Sequence, residues 1–489
     1  MKRNLLMSCL LAAVLPTLVF AQEVDTLSKT QTGKPKLLLD IMLVDIPYIK
    51  YGAQARANYK ASVPISQSVD AKPGDYVVSA FESPSMAQVI SYTSSFYNTV
   101  NYGVARGWNK ILNPEKSTSA KIFNAVGSEF TAAVAFVLTT KVPFAGGWAH
   151  EEFHRSTWIP MGIGSYDLIW DFDLSPDALT YVGAIYDEDL AAFKKNDPAG
   201  FVRMGSAGIE AHYALSERVQ NQDFLHDTNL PNLALYWGDF FAAIDYVNRA
   251  HTTKTIDEHV ENYVDEPDQL KRDFTGNDFT GWVYDLYNNS EAYSDRGVHP
   301  TGVGIDRYRD YNDLSIEMLN YVEKIGNRQW LNIINPFMFR IREIKLNESL
   351  GMNFAVRHYL TSFGDDTQLD VFLNYKNRKS VITLHKYSNH DREWYPGVEM
   401  TKYVTFATFR NKCGIKGNAR AMAWIQPENQ SFFTEKGQLG GLLSFRAAYE
   451  NTTPFHPYAE FEVKTKGWVA GVPYLNEKVS ARFGIQAVF

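Results

Sequence analysis

The segment Lys478-Val-Ser-Ala-Arg-Phe-Gly-Ile-Gln-Ala-Val-Phe489 decides how the C-terminal part of this chain is expected to fold. Apolar residues occupy every second position from Val479 to Phe489. All but one of the positions between them hold a polar residue, a charged residue or glycine. This period of two predicts a β-strand with one apolar and one polar face. Strands of about ten residues with this pattern are typical of transmembrane barrels.

The same alternation recurs throughout residues 327–489, which we interpret as an antiparallel up-and-down β-barrel that spans a membrane. About nine strands are expected, near residues 337–346, 352–363, 367–377, 380–388, 397–410, 415–426, 438–449, 457–466 and 478–489. The terminal Phe489 resembles the C-terminal assembly signal of outer-membrane β-barrel proteins. A soluble β-sandwich on a secreted protein alternates in the same way and is the alternative.

A further strand is predicted at residues 37–47, within an N-terminal segment that extends from 22 to 82. Bacterial single-chain barrels contain an even number of strands, so this strand would pair with the last one and close a barrel of about 8–10 strands. The region between the two would then be extracellular, whereas a C-terminal count of eight would make it periplasmic. Both possibilities stay open at this point.

The first 21 residues have the layout of a secretory signal peptide. Lys2 and Arg3 precede an apolar stretch that runs from Leu5 to Phe20. Together with the barrel pattern, this predicts export to the outer membrane of a Gram-negative bacterium, where membrane lipids are the expected partners. Cys9 lies inside the predicted leader, so Cys413 is the one remaining thiol and no internal disulfide is expected.

The composition excludes several classes of protein. The 489 residues are 45% hydrophobic and 21% charged, which excludes a disordered chain. The formal net charge of −7 argues against a nucleic-acid partner, because nucleic-acid binders carry a basic face. Tyr, Phe and Trp make up 14% of the chain, and Trp394, Tyr395, Trp424 and Trp468 are candidates for the aromatic belts of a barrel.

Residues 83–326 have a helical rather than an alternating pattern, so the whole chain is expected to be an α+β protein. Helices are predicted near residues 84–98, 118–139, 144–156, 176–195, 198–219, 231–249 and 313–325. Serine or aspartate before proline marks the start of several of them. Residues 252–310 are polar and rich in Asp, Asn, Tyr and Gly, which predicts a long functional loop or a poorly ordered insert.

The sharpest motif in this helical region is Ala149-His-Glu-Glu-Phe-His-Arg155. On a helix, His150 and His154 lie one turn apart on the same face, so both imidazoles can bind one ion. Glu151 lies beside that ion and can accept a proton from water. The spacing is the H-E-x-x-H arrangement of zinc-dependent hydrolases, and it predicts a Zn²⁺ site with Glu151 as the catalytic base. A surface histidine pair beside an acidic residue is the alternative.

A downstream segment, Gly208-Ile-Glu-Ala-His-Tyr-Ala214, lies on the next predicted long helix. The two motifs together resemble the gluzincin metallopeptidases, in particular the CAAX-prenyl-endopeptidase type. This resemblance implies that Glu210 is the third zinc ligand. The family usually has Asp where this chain has His212, so His212 is a second candidate ligand. The resemblance covers residues 150–219 and does not extend to the barrel.

The mechanism that these motifs imply is metal-assisted hydrolysis of peptide bonds in a peptide or protein substrate. Zinc lowers the pKa of its bound water, Glu151 takes the proton, and the hydroxide attacks the carbonyl. Glu151 then returns the proton to the leaving amine. Tyr213 and His212 are candidates for stabilising the oxyanion because they lie close to Glu210 in the sequence.

Three other interpretations are weighed against the metallopeptidase. In the first, the barrel is a non-catalytic subunit of an assembly or transport complex with other outer-membrane proteins, and its zinc site is structural or vestigial. In the second, the chain is a soluble secreted peptidase. In the third, Glu151-x-x-His154 pairs with Asp223-x-x-His226 to form a di-iron site of the ferritin-like kind.

Overall fold

The computed structural model describes residues 34–51, 83–171, 180–253, 265–409 and 413–489. It shows an α+β protein in which a helical region separates the first strand from the other strands of a ten-stranded antiparallel sheet. The predicted signal peptide, residues 1–21, lies outside the described residues, as does most of the segment 22–82.

The strands follow one another around the sheet in nearly sequential order. Their hydrogen-bonded order is β1-β12-β11-β10-β9-β8-β7-β6-β5-β4. Their bounds are β1 Leu38–Ile46, β4 Ile344–Lys345, β5 Leu350–Thr361, β6 Gly364–Tyr375, β7 Arg378–Ser388, β8 Tyr395–Thr408, β9 Gly414–Pro427, β10 Gly437–Glu450, β11 Phe455–Lys464 and β12 Lys478–Val488. Two short strands of the helical region, β2 (Tyr166–Asp167) and β3 (Val182–Gly183), form a separate ribbon.

The first strand pairs with the last one. The register runs from Leu38 opposite Val488 to Ile46 opposite Ala481, which confirms the pairing predicted for these two segments. Within the described residues β1 and β4 are not paired with each other, so backbone hydrogen bonds between strands do not close the sheet.

The strand predicted at 337–346 is mostly absent. Pro336–Phe339 forms a 3₁₀ turn that is capped by the Asn335 side chain, and only Ile344–Lys345 is extended and paired. Proline at the start of this turn lacks the backbone N–H that a strand would donate to its neighbour.

The helical region contains eight α-helices within the described residues. Their bounds are α1 Met86–Ile111, α2 Thr118–Thr139, α3 Gly146–Trp158, α4 Asp187–Asn196, α5 Pro198–His226, α6 Leu233–Thr252, α7 Asp278–Tyr287 and α8 Ile316–Arg328. The bounds of α2 match the prediction, and Asp197 caps α5 through the backbone N–H of Gly200, as the Asp-Pro pattern predicts.

Two parts of the helical region differ from the prediction. The helix expected at 176–195 begins only at Asp187 in the described residues, because residues 180–186 are not helical and include β3. Residues 265–310 are an ordered part of the fold rather than a loop, and they contain α7, which the Asn277 side chain caps at its first turn.

The sheet buries its polar face and exposes its apolar face. On β10, Ser444 and Arg446 are buried, whereas Leu443 and Phe445 are 49% and 52% exposed. Arg446 forms a two-pronged ion pair with the buried Asp40 of β1. The alternation predicted from the sequence is therefore present, with the charged side chains inside.

Helix α5 packs against the buried polar face of the sheet along its length. Near one end of the helix, the Arg203 guanidinium donates to the carbonyl of Val472 at 2.6 Å. Near the other end, the Phe224 carbonyl accepts from Lys379 Nζ at 2.7 Å. Between them, Arg218 pairs with Asp40. The polar interior of the sheet is thus occupied by a helix of the inserted region.

Candidate metal centre

Helix α3 presents the motif to the interior of the helical region. The imidazole rings of His150 and His154 lie one turn apart, with centroids separated by 4.8 Å. His154 is 1% exposed, and most of α3 is buried. The motif is therefore not a surface histidine pair, which was the alternative interpretation of the sequence.

A glycine of α5 lies directly opposite the two imidazoles. A Cβ atom at Gly208 would overlap the Nε2 atoms of His150 and His154. Only glycine allows the α5 backbone to approach the two imidazoles this closely, because any side chain at position 208 would occupy the small space next to their nitrogen atoms.

The third member of the cluster is Asp278, the first residue of α7. One of its carboxylate oxygens, Oδ2, lies 3.3 Å from Nε2 of His150 and 3.1 Å from Nε2 of His154. Within the described residues, these three side chains are the one group whose potential ligand atoms converge, all within 4.8 Å of one another.

The spacing of these atoms fits a small divalent ion. Zinc lies about 2.0–2.2 Å from nitrogen and oxygen ligands, so two ligand atoms of a tetrahedral site lie about 3.3–3.5 Å apart. The distances from Asp278 Oδ2 to the two histidine nitrogens, 3.3 and 3.1 Å, are close to that separation. Two imidazoles and one carboxylate also form one of the ligand sets that catalytic zinc sites use.

The hydrogen bonds of His154 determine which of its nitrogens can bind a metal. Nδ1 lies 2.6 Å from the carbonyl oxygen of Met204, which can only accept, so Nδ1 carries the proton. In the neutral ring the Nε2 lone pair then points at the carboxylate of Asp278. Two acceptors facing each other need a proton or a cation between them. A histidine that donates from its second nitrogen is typical of metal ligands.

Burial and the charges of the cluster shift the pKa of each member. Burial lowers the pKa of His150 to about 4. Burial alone would lower the pKa of His154, but the Asp278 carboxylate more than offsets it, so the pKa is raised. Burial would raise the pKa of Asp278, but the two histidines hold it well below its usual range. The three groups therefore form one electrostatic unit.

Glu151 lies on the same turn of α3 as His150 and is 6% exposed. Burial raises the pKa of its carboxyl to about 7, while His154 lowers it and Asp278 raises it by smaller amounts. Glu151 follows His150 directly on α3, and its carboxyl interacts electrostatically with two members of the cluster.

His212 is brought next to the cluster but is not part of the converging group. It follows Gly208 by one helical turn, and its ring centroid lies 5.5 Å from that of His150. Its Nδ1 lies 2.9 Å from Oδ1 of Asp239 on α6. Asp239 thereby orients the ring, and the other nitrogen remains available near the cluster.

Glu210 is not brought to the histidines. It follows Gly208 by two residues, or about 200° around the helix, so it points away from α3. Its carboxylate accepts from the Arg203 guanidinium at 2.6 Å and from the backbone N–H of Gly471 at 2.8 Å. These contacts are structural, and Asp278 takes the place that the sequence assigned to Glu210.

Tyr213 is also directed away from the cluster. Its hydroxyl donates to Oε1 of Gln329 at 2.6 Å, and its ring packs against Tyr359 of β5. The suggested di-iron partner is also distant from the cluster. Asp223 lies near the far end of α5, where it pairs with Arg342. Proximity in sequence therefore misplaced Tyr213, and likeness to the Glu-x-x-His motif misplaced Asp223.

Three residues of the site were missed by the analysis of the sequence. Asp278 provides a potential ligand, Tyr246 packs on the His150 ring at 5.8 Å, and Phe274 packs on the His154 ring at 4.9 Å. Two of them lie in the stretch interpreted as a loop. A signal was present there, since Asn277 precedes apolar residues at 279, 282, 283 and 286, a helical spacing with a cap.

Comparisons with known proteins place this chain in no family. No family model matches it, and neither a curated protein nor a solved structure matches it significantly.

Proposed function

We propose that the protein is an outer-membrane, zinc-dependent metallopeptidase that hydrolyses peptide bonds. The observation that carries this proposal is the convergence of His150, His154 and Asp278 on one point beside Glu151. Three protein ligands leave one position of a tetrahedral ion for water or substrate, as catalytic zinc sites require.

The residues around the cluster have distinct roles in this proposal. A zinc ion held by the three side chains would polarise the peptide carbonyl and lower the pKa of the attacking water. Glu151 accepts the proton of that water and donates it to the leaving nitrogen. His212, oriented by Asp239, donates from its second nitrogen to the developing oxyanion when the ring is protonated.

The location in a membrane is supported by the inverted polarity of the sheet. Apolar residues cover its outer face, and charged residues are paired inside, as in transmembrane barrels. At the end of the sheet where the C-terminus lies, exposed aromatic residues recur from strand to strand: Tyr375, Phe406, Phe409, Tyr449, Phe455 and Phe489. Aromatic residues at one level are typical of a membrane interface, so lipids are the proposed partners.

The lengths of the connections support an orientation. Residues 376–377 and 451–454 join strands at the aromatic end. The connections at the other end are 362–363, 389–394, 428–436 and 465–477, and they include the two longest. Outer-membrane barrels have short periplasmic turns and longer extracellular loops. Gly471, in one of the longer loops, contacts Glu210, two residues from Gly208. The metal centre is therefore proposed to lie toward the extracellular side.

A second candidate function is a non-catalytic outer-membrane subunit with a structural metal site. One observation favours it: the His150 side chain is 14% exposed, and those of Asp278 and His154 are 6% and 1% exposed. A substrate would have to reach a mostly buried cluster, which a structural site does not require.

Zinc content and turnover distinguish the two candidates. The purified protein should hold about one zinc ion, and both His154→Ala and Asp278→Ala should lose it, whereas Tyr213→Phe should keep it. Glu151→Gln should retain zinc and lose hydrolysis of a casein-like substrate. Zinc without Glu151-dependent turnover would favour the structural role, and absence of zinc from the wild-type protein would exclude both.

The membrane location has its own test. A barrel in an outer membrane is extracted only by detergent and migrates differently on a gel before and after heating. Release of the protein into a soluble fraction without detergent would instead support the secreted peptidase.

A further inference from the structure

The edge of β1 that does not pair with β12 is covered by helix α1 along its length. Polar side chains of α1 bind the backbone groups that a neighbouring strand would otherwise bind. The hydroxyls of Ser95 and Ser91 accept from the N–H groups of Asp40 and Met42, both at 2.9 Å, and the Asn98 amide donates to the Leu38 carbonyl. Helix α1 thus takes the place of the next strand.

The opposite edge of the sheet is covered by residues 329–341. The backbone N–H of Val356 on β5 donates to the carbonyl of Ile334 at 2.9 Å, and the N–H of His358 donates to the Asn332 side chain at 3.0 Å. Helix α6 packs on this segment, where the Trp237 indole donates to the Met338 carbonyl.

Helix α2 lies between these two covers and joins them. On one side, Trp108 of α1 donates to Thr131 of α2 at 3.0 Å. On the other side, Phe136 of α2 packs closely against Gly238 of α6. The surface that the sheet forms therefore continues from β1 through α1, α2, α6 and residues 329–341 to β5. We call this continuous surface the wall.

Helix α2 turns its apolar side outward. Phe123, Phe130, Val134 and Leu138 are 65%, 48%, 37% and 73% exposed, and their spacing of seven, four and four residues places them on one face. Within the described residues, α2 is the one helix long and apolar enough to cross a membrane. Its 22 residues span about 33 Å, close to the hydrocarbon thickness of a bilayer of about 30 Å.

The one acidic group of α2 faces the protein. Glu129 is fully buried, lies 3.2 Å from the Arg340 guanidinium, and accepts from the backbone N–H of Leu233 at 3.2 Å. After Lys121 near its start, α2 has no other charged residue. A helix that pairs its charge inward and exposes Phe, Val and Leu outward is suited to an apolar solvent.

We propose that the outer face of α2 contacts the acyl chains of the same bilayer as the sheet, so that a helix completes the wall that the ten strands leave open. The proposal rests on the membrane location proposed above. The exposed face of α2 is continuous with the outer face of the sheet through the 329–341 segment, where Trp330 and Ile334 are 49% and 46% exposed.

The test uses single-cysteine variants of the chain without its predicted leader, residues 22–489, in which Cys413→Ser removes the one native thiol. Leu138→Cys and Phe130→Cys probe α2, Phe445→Cys probes the outer face of the sheet, and Ile316→Cys probes an exposed position on α8. Each is labelled with bimane and placed in phosphatidylcholine vesicles with brominated acyl chains. Unchanged zinc content and heat-dependent gel migration show that each variant is folded.

Bimane at 138, 130 and 445 should lose at least half of its fluorescence to brominated lipid, and bimane at 316 should be quenched only by iodide. Quenching at 445 without quenching at 138 and 130 overturns the proposal for α2 and leaves the membrane location intact. Absence of quenching at all three positions overturns both. Disulfide-linked dimers through Leu138→Cys, with shielding from both quenchers, would show that a second copy covers α2.

Discussion

The sheet and the helical region differ in which side chains they bury. In the helical region, large apolar side chains such as Trp158 and Phe193 are fully buried. In the sheet, Phe445 and Phe461 are about half exposed, and Asp40 and Arg482 are buried in ion pairs. The comparison teaches that one chain combines a region with an apolar core and a sheet of inverted polarity, and this inversion is what supports the membrane location proposed above.

The largest expected effect comes from breaking a buried ion pair of the sheet. Arg446→Ala should lower the free energy of unfolding by about 3–5 kcal/mol, because it leaves the Asp40 carboxylate buried with Arg218 as its remaining partner. Urea unfolding in detergent micelles measures this. The matched change Lys416→Ala removes a partly exposed pair with Glu450 and should cost less than about 1 kcal/mol. Equal effects would contradict the polar interior.

The next largest effect tests the outer face. Phe445→Lys should destabilise the protein in vesicles by about 2–4 kcal/mol, because a charge would face the bilayer. Ile316→Lys, at a position of α8 that is 73% exposed, should change stability by less than about 0.5 kcal/mol. Stability in vesicles is measured by urea titration. If both substitutions are neutral, the outer face of the sheet is in water.

A third substitution tests the close approach of α5 to the histidines. Gly208→Ala should weaken zinc binding at least tenfold and lower stability by about 1–3 kcal/mol, because the added methyl group overlaps both imidazoles. Gly103→Ala on α1 has nothing within 4 Å and should instead stabilise the protein by about 0.5–1 kcal/mol. Calorimetric zinc titration measures the first effect. Wild-type affinity in Gly208→Ala would show that the ion binds elsewhere.

The smallest expected effect tests whether Tyr213, a sequence neighbour of the predicted ligands, takes part in the site. Tyr213→Phe should lower stability by about 1 kcal/mol through the lost hydrogen bond to Gln329. Zinc content and any hydrolytic rate should stay at the wild-type level, because the hydroxyl points away from the cluster. A large loss of turnover with normal zinc content would return Tyr213 to the oxyanion role.

The aromatic residues predicted to form membrane belts show a limit of reasoning from the sequence. Trp394 is exposed, whereas Tyr395, Trp424 and Trp468 are buried in the main core, which is wrong for belt residues. Their side chains pack where the sheet meets the helical region, and the sequence does not show that the interior of the sheet is occupied by α5. Residue type predicts a preference for an interface, and the neighbouring elements decide which interface is present.

The sequence by itself determined the features that depend on local periodicity. A period of two specified eight of the nine C-terminal strands, and a period near 3.6 specified most helices and placed His150 and His154 on one face. The pairing of β1 with β12 also followed, because an unpaired strand at each end of a barrel pattern has few other partners.

Only the tertiary structure decided the third member of the cluster and the completion of the wall. Asp278 lies 124 residues after His154, and no spacing rule connects positions that far apart. Glu210 was a reasonable candidate until the close approach at Gly208 set the rotation of α5 about its axis. Local pattern shows which face of an element is apolar, whereas packing decides which element that face meets.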